Sequence, residues 1–155
     1  IPDMGLKFMN ACKGADAVIL FPQAGPETEA AWIKAAQQAK MNVIIGGEMT
    51  HKGYLKNEGG FIDDNAPKRM YEIAASIGVA DFVVPGNRPD KCLEYNELIK
   101  KKIKNPVYYS PGLITQGGSI SELAKKLDSW HAIVGRAIYE ADDMKKAAEE
   151  MAKSL

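Results

Sequence analysis

The stretch Tyr-Ser-Pro-Gly-Leu-Ile-Thr-Gln-Gly-Gly, residues 109–118, is the most informative part of this chain, together with Ile-Val-Gly-Arg-Ala-Ile-Tyr, residues 133–139. In each stretch a short apolar run ends abruptly in glycine and polar residues and then passes into a helical pattern, as strands do at the catalytic face of a βα unit. Glycines let a ligand approach the backbone closely, and their free N–H groups suit an oxyanion. Two consecutive loops of this kind predict a phosphate-binding site; two ordinary glycine turns are the simpler alternative.

The composition indicates one domain over residues 1–155, since 46% of the 155 residues are hydrophobic and 26% are charged. Lys+Arg and Asp+Glu each number 20, so nothing indicates a nucleic-acid or membrane-surface partner. Cys12 and Cys92 form neither a metal-binding spacing nor a disulfide framework, which fits a reducing compartment. Neither a long apolar stretch nor a signal peptide is visible, so a cytoplasmic protein is expected.

Short apolar runs alternate with helical patterns along the whole chain. The runs, rich in Val and Ile, predict strands buried on both faces at residues 17–21, 42–45, 81–84, 106–109 and 131–134. The helical patterns cover residues 3–13, 26–40, 64–77, 89–104, 119–127 and 142–154. This alternation predicts an α/β fold with parallel strands and right-handed crossovers. An open doubly wound sheet is possible, but no Gly-x-Gly-x-x-Gly follows the first strand, which favours a (β/α)8 TIM barrel.

The number of predicted strands is too small for a whole barrel. Eight βα units need roughly 250 residues, or about 200 at the low end, whereas this chain has 155 residues and five predicted strands. The chain also opens without Met, on Ile1-Pro2, directly into a helix that has no strand before it. We therefore expect the C-terminal five βα units of a barrel, with three strands missing.

Four segments resemble the orotidine 5'-phosphate decarboxylase family in its short microbial form. Residues 48–53, Glu-Met-Thr-His-Lys-Gly, resemble the family's Glu-Met-Ser-His-Pro-Gly, and residues 85–90, Pro-Gly-Asn-Arg-Pro-Asp, resemble its Pro-Ser/Gly-Thr-Arg-Pro-Glu. Residues 110–118 resemble its Ser/Thr-Pro-Gly-hydrophobic-x-x-Gln-Gly-Gly loop, and residues 135–139 its Gly-Arg-Ser/Ala-Ile-Tyr. The sister hexulose phosphate synthases and ketogulonate phosphate decarboxylases usually lack the glutamine.

The resemblance implies a carboxy-lyase that converts orotidine monophosphate (OMP) to uridine monophosphate (UMP) and carbon dioxide in pyrimidine biosynthesis. It implies no metal and no organic cofactor, and a homodimer with shared active sites. The family's Asp-x-Lys-x-x-Asp-Ile-Pro signature ends where this chain begins, at Ile1-Pro2, and a second catalytic lysine lies on an earlier strand. Those charges stress the substrate carboxylate, and a lysine protonates the C6 carbanion. No catalytic residue is therefore expected in this chain, and the isolated chain is expected to be inactive.

The loop pattern and the resemblance together predict a set of substrate-binding residues. They are Thr50, Pro111, Gly112, Leu113, Ile114, Thr115, Gln116, Gly117, Gly118, Gly135 and Arg136, with Ile1, Met4, His51 and Gly86 as weaker candidates. The Arg136 guanidinium suits a bidentate pair with a phosphate dianion, unless it forms a salt bridge to Asp142 or Glu140. Gln116 would bridge the phosphate to the pyrimidine side, or else brace its own loop.

The other candidates have more specific roles. The resemblance makes the Thr50 hydroxyl a partner of the pyrimidine, although by itself it would be an N-cap or turn residue. His51 is expected to form a structural hydrogen bond rather than to do chemistry. Gly86 and Asn87 lie where a loop can approach the base. Met4 stands where the family usually has a threonine that contacts ligand across the dimer interface.

Several residues are expected to have only structural roles. Arg88-Pro89 should fix a loop and start a helix. Asp63-Asp64 should cap the N-terminus of the helix predicted over residues 64–77. Trp32 and Trp130 are assigned to helix positions in the core or an interface. His131 opens the last strand and is expected to be incidental.

Two other functions remain open. The chain could be a truncated half barrel that binds phosphate without activity, which the residues upstream of Ile1 in the parent sequence would decide. It could also be a phosphosugar synthase or decarboxylase of the same superfamily, which would prefer ribulose phosphates to UMP.

Overall fold

A single parallel β-sheet organises the computed structural model, which describes residues 1–113 and 126–153. Within these residues the strands are β1 Ala17–Leu20, β2 Asn42–Gly46, β3 Asp81–Val83, β4 Val107–Ser110 and β5 Trp130–Ala132. The α-helices are α1 Gly5–Ala11, α2 Pro26–Gln38, α3 Ala66–Ser76, α4 Pro89–Lys100, α5 Arg136–Tyr139 and α6 Met144–Ala152. Short 3-10 turns occur at Pro2–Met4 and Lys56–Glu58.

The strands follow one another in the sheet in the order of the chain, β1-β2-β3-β4-β5, and every adjacent pair is parallel. A doubly wound sheet reverses its winding direction partway, so its strand order departs from the chain order. Uninterrupted sequential order is instead the arrangement of a (β/α)8 barrel. The predicted βα units are therefore confirmed, and the doubly wound alternative is wrong.

One face of the sheet carries the hydrophobic core. Val43, Ile45, Phe82 and Tyr108 point to this face and pack in one cluster with residues of the helices, among them Ile33 of α2, which has 0% exposure. Successive side chains of a strand point to opposite faces, so Ile19 of β1 points to the other face, where it is 50% exposed. The helices thus cover one face, and the other face is open at the β1 end.

The two outer strands differ from the prediction that every strand is buried on both faces. Residues of β1 alternate between exposed and half-buried, and none of the β5 residues is buried. Among the described residues each of these strands pairs on one side only, so solvent reaches both of its faces. The prediction is therefore wrong for β1 and β5, because burial at a sheet edge depends on a neighbour rather than on the strand's own sequence.

The helices are shorter than the sequence pattern indicates. The helix predicted over 26–40 ends at Gln38, and Lys40 adopts a positive φ of 56°, which turns the chain into β2. The helix predicted over 89–104 ends at Lys100, and those predicted over 64–77 and 142–154 begin two residues late, at Ala66 and Met144. The segment predicted over 3–13 divides into a 3-10 turn and α1. Most of the helix predicted over 119–127 lies outside the described residues.

Two local predictions were wrong. The N-cap of α3 is Asn65 and not the Asp63-Asp64 pair. Asp63 Oδ1 instead accepts a hydrogen bond from Asn65 N at 3.0 Å, and Asp64 Oδ1 accepts one from Asn57 N at 3.0 Å, so both aspartates brace the preceding loop. Trp130 lies in β5 rather than in a helix, and its Nε1 donates to Ser110 Oγ at 2.7 Å.

The described residues contain no helix that is both long and apolar enough to cross a bilayer.

The contrast between Ile33 and Ile19 provides a test of the core assignment. Ile33→Ala should lower the free energy of unfolding by about 2–5 kcal/mol, because it leaves a cavity in a filled core. Ile19→Ala, the matched control on the exposed face, should cost about 1 kcal/mol, since only half of its side chain is buried. Urea denaturation of the complete barrel, followed by circular dichroism, measures both values. Equal losses would contradict the placement of the core on one face.

Candidate functional site

The carboxyl ends of the strands meet along one edge of the sheet, where the loops after β2, β3, β4 and β5 begin. Backbone hydrogen bonds continue between these loops beyond the strands. Val84 N donates to Tyr109 O at 2.9 Å, and Ile133 N donates to Ser110 O at 3.0 Å. The predicted substrate-binding residues of the described region, except Ile1 and Met4, follow these strand ends.

Gly86 brings the loop after β3 against the loop after β4. Its N–H donates to the carbonyl oxygen of Pro111 at 2.8 Å. A Cβ added to Gly86 would stand 2.6 Å from that oxygen and 3.0 Å from the Leu113 side chain. Because the close contact is with backbone, only glycine fits at position 86 without moving the loops apart.

The described part of the loop after β4 comprises residues 111–113. Gly112 has a φ of +84°, a left-handed conformation that glycine adopts without strain. Pro111 and Gly112 are half-buried, and Leu113 is buried in the core cluster, which anchors the start of the loop. The remaining predicted residues of this loop, Ile114, Thr115, Gln116, Gly117 and Gly118, lie outside the described residues.

The buried carboxylate of Glu48 holds the loops at this edge of the sheet together. The Glu48 side chain follows β2 and has 0% exposure. Arg88 Nη1 donates to Glu48 Oε1 at 2.7 Å, and Arg88 Nη2 pairs with Glu58 Oε1 at 2.5 Å. Tyr95 of α4 donates its hydroxyl to Glu48 Oε2. A single ion-pair network therefore connects the loop after β2, the loop after β3 and helix α4.

Two tyrosines complete the support. The Tyr71 hydroxyl of α3 donates to Val83 O at 2.7 Å and accepts a hydrogen bond from Glu48 N at 3.3 Å. Burial raises the pKa of both Tyr71 and Tyr95, and the hydrogen bond to Glu48 raises that of Tyr95 further. Both hydroxyls therefore stay neutral and keep their protons for these bonds.

Thr50 lies half-buried in the loop after β2, next to the loop after β3. Its carbonyl oxygen accepts a hydrogen bond from Asn87 Nδ2 at 3.1 Å, whereas Asn87 Oδ1 is buried with no partner in the part of the chain that the structure describes. His51 is exposed, and its ring contacts the Tyr54 ring edge-on at 5.8 Å. The structure therefore joins Thr50 to Asn87, and it gives His51 a ring contact, not the expected hydrogen bond, among the described residues.

Arg136 is the first residue of α5, directly after Gly135, and its side chain is exposed. Among the described residues no salt bridge joins Arg136 to Asp142, to Glu140 or to any other acid. Because β4 and β5 are paired neighbours, the loop that carries Arg136 starts beside the loop after β4.

Ile1 lies beside Leu20 of the outer strand β1, whereas Arg136 follows β5, the outer strand at the other end of the strand order. The Ile1 carbonyl oxygen accepts a hydrogen bond from Trp32 Nε1 at 3.0 Å, and Met4 is 47% exposed beside α1. The structure therefore aligns the residues that follow β2, β3, β4 and β5 along one edge of the sheet. It places Ile1 beside Leu20 at the end of β1, and Met4 in the turn before α1.

The sequence analysis assigned no role to Glu48, Glu58 or Tyr95, although the site depends on them. Its interpretation of Arg88-Pro89 is confirmed, since α4 begins at Pro89 and Arg88 fixes two loops. A signal was available for Glu48, which is an acidic residue directly after the glycines that end a buried strand. Nothing in the sequence identified Tyr95 as its partner.

Comparison with known proteins shows the family of this chain. Residues 4–151 match the model of the "Orotidine 5'-phosphate decarboxylase / HUMPS family". The chain belongs to this family. The orotidine 5'-phosphate decarboxylase of Methanosarcina mazei is 32% identical over 142 residues, which are 92% of this chain and 60% of that protein. The chain thus spans about 60% of the length of the curated relatives it matches.

Solved structures of the family share the fold. The orotidine 5'-monophosphate decarboxylase of Methanocaldococcus jannaschii, complexed with the inhibitor BMP, superposes with a TM-score of 0.84 at 27% identity. The alignment covers 100% of this chain and 69% of that one. The enzyme of Pyrococcus horikoshii has a TM-score of 0.76 at 26% identity and covers 99% of this chain. The predicted fold, about five βα units of a (β/α)8 barrel, is confirmed.

The Glu48–Arg88 pair provides a test of what holds the site together. Arg88→Ala should lower the free energy of unfolding by about 3–5 kcal/mol, because it leaves the Glu48 carboxylate buried without its cation. Arg69→Ala is the matched control, since Arg69 is exposed on α3 and should cost about 0.5 kcal/mol or less. Chemical denaturation of the complete barrel measures both losses, and similar losses for the two variants would refute the supporting role of Arg88.

Proposed function

We propose that this chain supplies the phosphate-binding and pyrimidine-binding part of an orotidine 5'-phosphate decarboxylase, an enzyme that converts OMP to UMP and carbon dioxide. The observation that carries the proposal is the exposed Arg136, without an acidic partner among the described residues, at the strand end beside the loop after β4. An unpaired guanidinium at this position is available for a phosphate dianion. The family membership specifies which phosphorylated ligand to test first.

The phosphate site comprises Arg136, Gly135 and the loop from Pro111 to Gly118 in this proposal. Gly112 and Pro111 bring backbone close to the ligand, and we propose that Gln116 bridges the phosphate to the pyrimidine side. Binding energy from a phosphate that does not react can be used to lower the barrier at a distant carbon. Phosphate binding therefore contributes to catalysis, although no residue of the phosphate site transfers a proton.

The pyrimidine site comprises Thr50 and Gly86 in this proposal. The hydrogen bond from Asn87 Nδ2 to Thr50 O holds the two loops at one spacing. The Glu48–Arg88 pair fixes the same loops from the buried side. The Thr50 hydroxyl is thereby held in place for a pyrimidine, whereas the exposed His51 has a structural role beside Tyr54.

The chemical step requires residues that this sequence does not contain. No Asp-x-Lys-x-x-Asp segment occurs in the 155 residues. We propose that three further βα units supply this segment and the second catalytic lysine, and that they complete the barrel at the open edges of β1 and β5. In the assembled enzyme we also propose a cytoplasmic homodimer with shared active sites, in which Met4 takes the place of the family's ligand-contacting threonine.

The phosphate assignment can be tested with UMP and uridine. In the complete enzyme, Arg136→Ala should weaken UMP binding by about 3 kcal/mol, or roughly 100-fold in Kd, because it removes charge-assisted hydrogen bonds to the phosphate. Uridine binding should stay unchanged, and so should both affinities in Lys145→Ala, a control that removes an exposed cation from α6. Isothermal titration calorimetry measures these constants. Equal losses for UMP and uridine would rule out a phosphate contact, and preference for ribulose phosphate would favour a phosphosugar enzyme.

The need for further βα units can be tested by reconstitution. The 155-residue chain alone should associate or fold poorly, since unpaired strand edges pair with other chains, and it should not decarboxylate OMP. Adding the first three βα units of the M. jannaschii enzyme as a separate polypeptide should restore a compact complex and carbon dioxide release. The same polypeptide with its motif lysine changed to alanine should restore the complex without activity. Decarboxylation by the chain alone would overturn the proposal.

A further inference from the structure

Glu29 is a buried carboxylate that the candidate site does not use. It lies in the first turns of α2 and is 2% exposed, on the same helical face as the core residues Ile33 and Ala36. Its Oε1 is buried and has no hydrogen-bond partner within residues 1–113 and 126–153. Buried polar side chains are nearly always paired, so an unpaired carboxyl oxygen in a helix-packing position indicates a missing partner.

Two cavities flank this carboxyl group, and Glu29 and Pro22 line both of them. The larger cavity has a volume of about 250 Å³, and all of its lining residues lie between residues 22 and 73. Two consecutive βα units therefore form it completely. It shares no residue with the predicted substrate-binding set, so it is separate from the proposed nucleotide site.

The walls of the larger cavity suit a flat ring. Apolar surface comes from Pro26, Ile62, Met70 and Phe61, whose side chain is fully exposed to solvent at 103% and so presents an open aromatic face. Such a face attracts a flat cation through both its area and its quadrupole. A volume of about 250 Å³ accommodates one substituted ring.

We propose that this cavity binds a small aromatic cation. Its amidinium or protonated amine pairs with Glu29, and its ring lies against Phe61 and Pro26. A cationic donor satisfies the unpaired Oε1 and compensates its charge in one step. A metal ion fits less well, because the described residues contain no group of three His, Cys, Asp or Glu side chains that could hold one.

The protonation of Glu29 gives this binding a measurable signature. Burial raises the pKa of Glu29 to about 8, so the empty cavity holds mostly the neutral acid at pH 7. A cation selects the carboxylate, and its binding must release a proton below pH 8. The other charged side chains that line the two cavities are Asp63 and Arg69, and neither is hydrogen-bonded to Glu29.

Benzamidine is a suitable probe, with the neutral isostere benzamide as its chemical control. Calorimetry of the chain completed with the first three βα units of the M. jannaschii enzyme, in buffers of different ionisation enthalpy, should show nearly one proton released at pH 7. The affinity for benzamidine should rise about tenfold from pH 7 to pH 9 and then level off, because the competent carboxylate is the minor form at pH 7. Benzamide should bind more weakly and without this pH dependence.

Two substitutions on α2 separate the carboxyl from the general charge of the helix. Glu29→Gln keeps the size of the side chain and should lower the affinity for benzamidine at least tenfold at pH 9, with no proton released. Glu27→Gln, an exposed position two residues earlier, should bind as the unmodified chain does. Failure of benzamidine to bind, equal affinities for benzamidine and benzamide, or binding by the unmodified chain without proton release would each overturn the proposal. The proton measurement needs no variant, so misfolding of Glu29→Gln would not prevent the test.

Discussion

The compensation of one buried carboxylate, Glu48, determines how the functional edge is arranged. A charge withdrawn from water is tolerated only when cations and hydrogen-bond donors surround it. Arg88 and Tyr95 meet that requirement, and each comes from a different part of the chain. If the loops after β2 and β3 separated, the Glu48 carboxylate would either be exposed to water or stay buried without Arg88. The spacing between Thr50 and Asn87 is consequently set by a group that need not touch any ligand.

Strand order and loop placement could be predicted because they follow from local sequence. Apolar runs bounded by glycine mark the ends of parallel strands, and those ends necessarily meet at one edge. The exposure of β1 and β5 could not be predicted, since it depends on which strands stand beside them. The assignment of Trp130 to a helix failed because one residue at an element boundary carries little periodicity, and tryptophan itself favours strands.

The roles of Glu48 and Glu29 were missed for different reasons. The partners of Glu48 are distant in sequence, so its network emerges only in three dimensions. Glu29 could have been found, because it precedes Ile33 by one helical turn and Ala36 by two, which places an acid within an apolar stripe. A charged residue at a core position of a helix pattern is a signal that sequence interpretation can use.

The sequential order of the sheet has a consequence for folding and for evolution. Each described strand pairs only with the strands that precede and follow it along the chain, so the sheet can be extended by one βα unit at a time. In this respect the chain is similar to a linear array of repeats, in which each unit is stabilised mainly by its nearest neighbours. A break or a fusion between two units disturbs one interface and leaves the rest intact. Recombination at unit boundaries is therefore a route by which such barrels can be divided and rejoined.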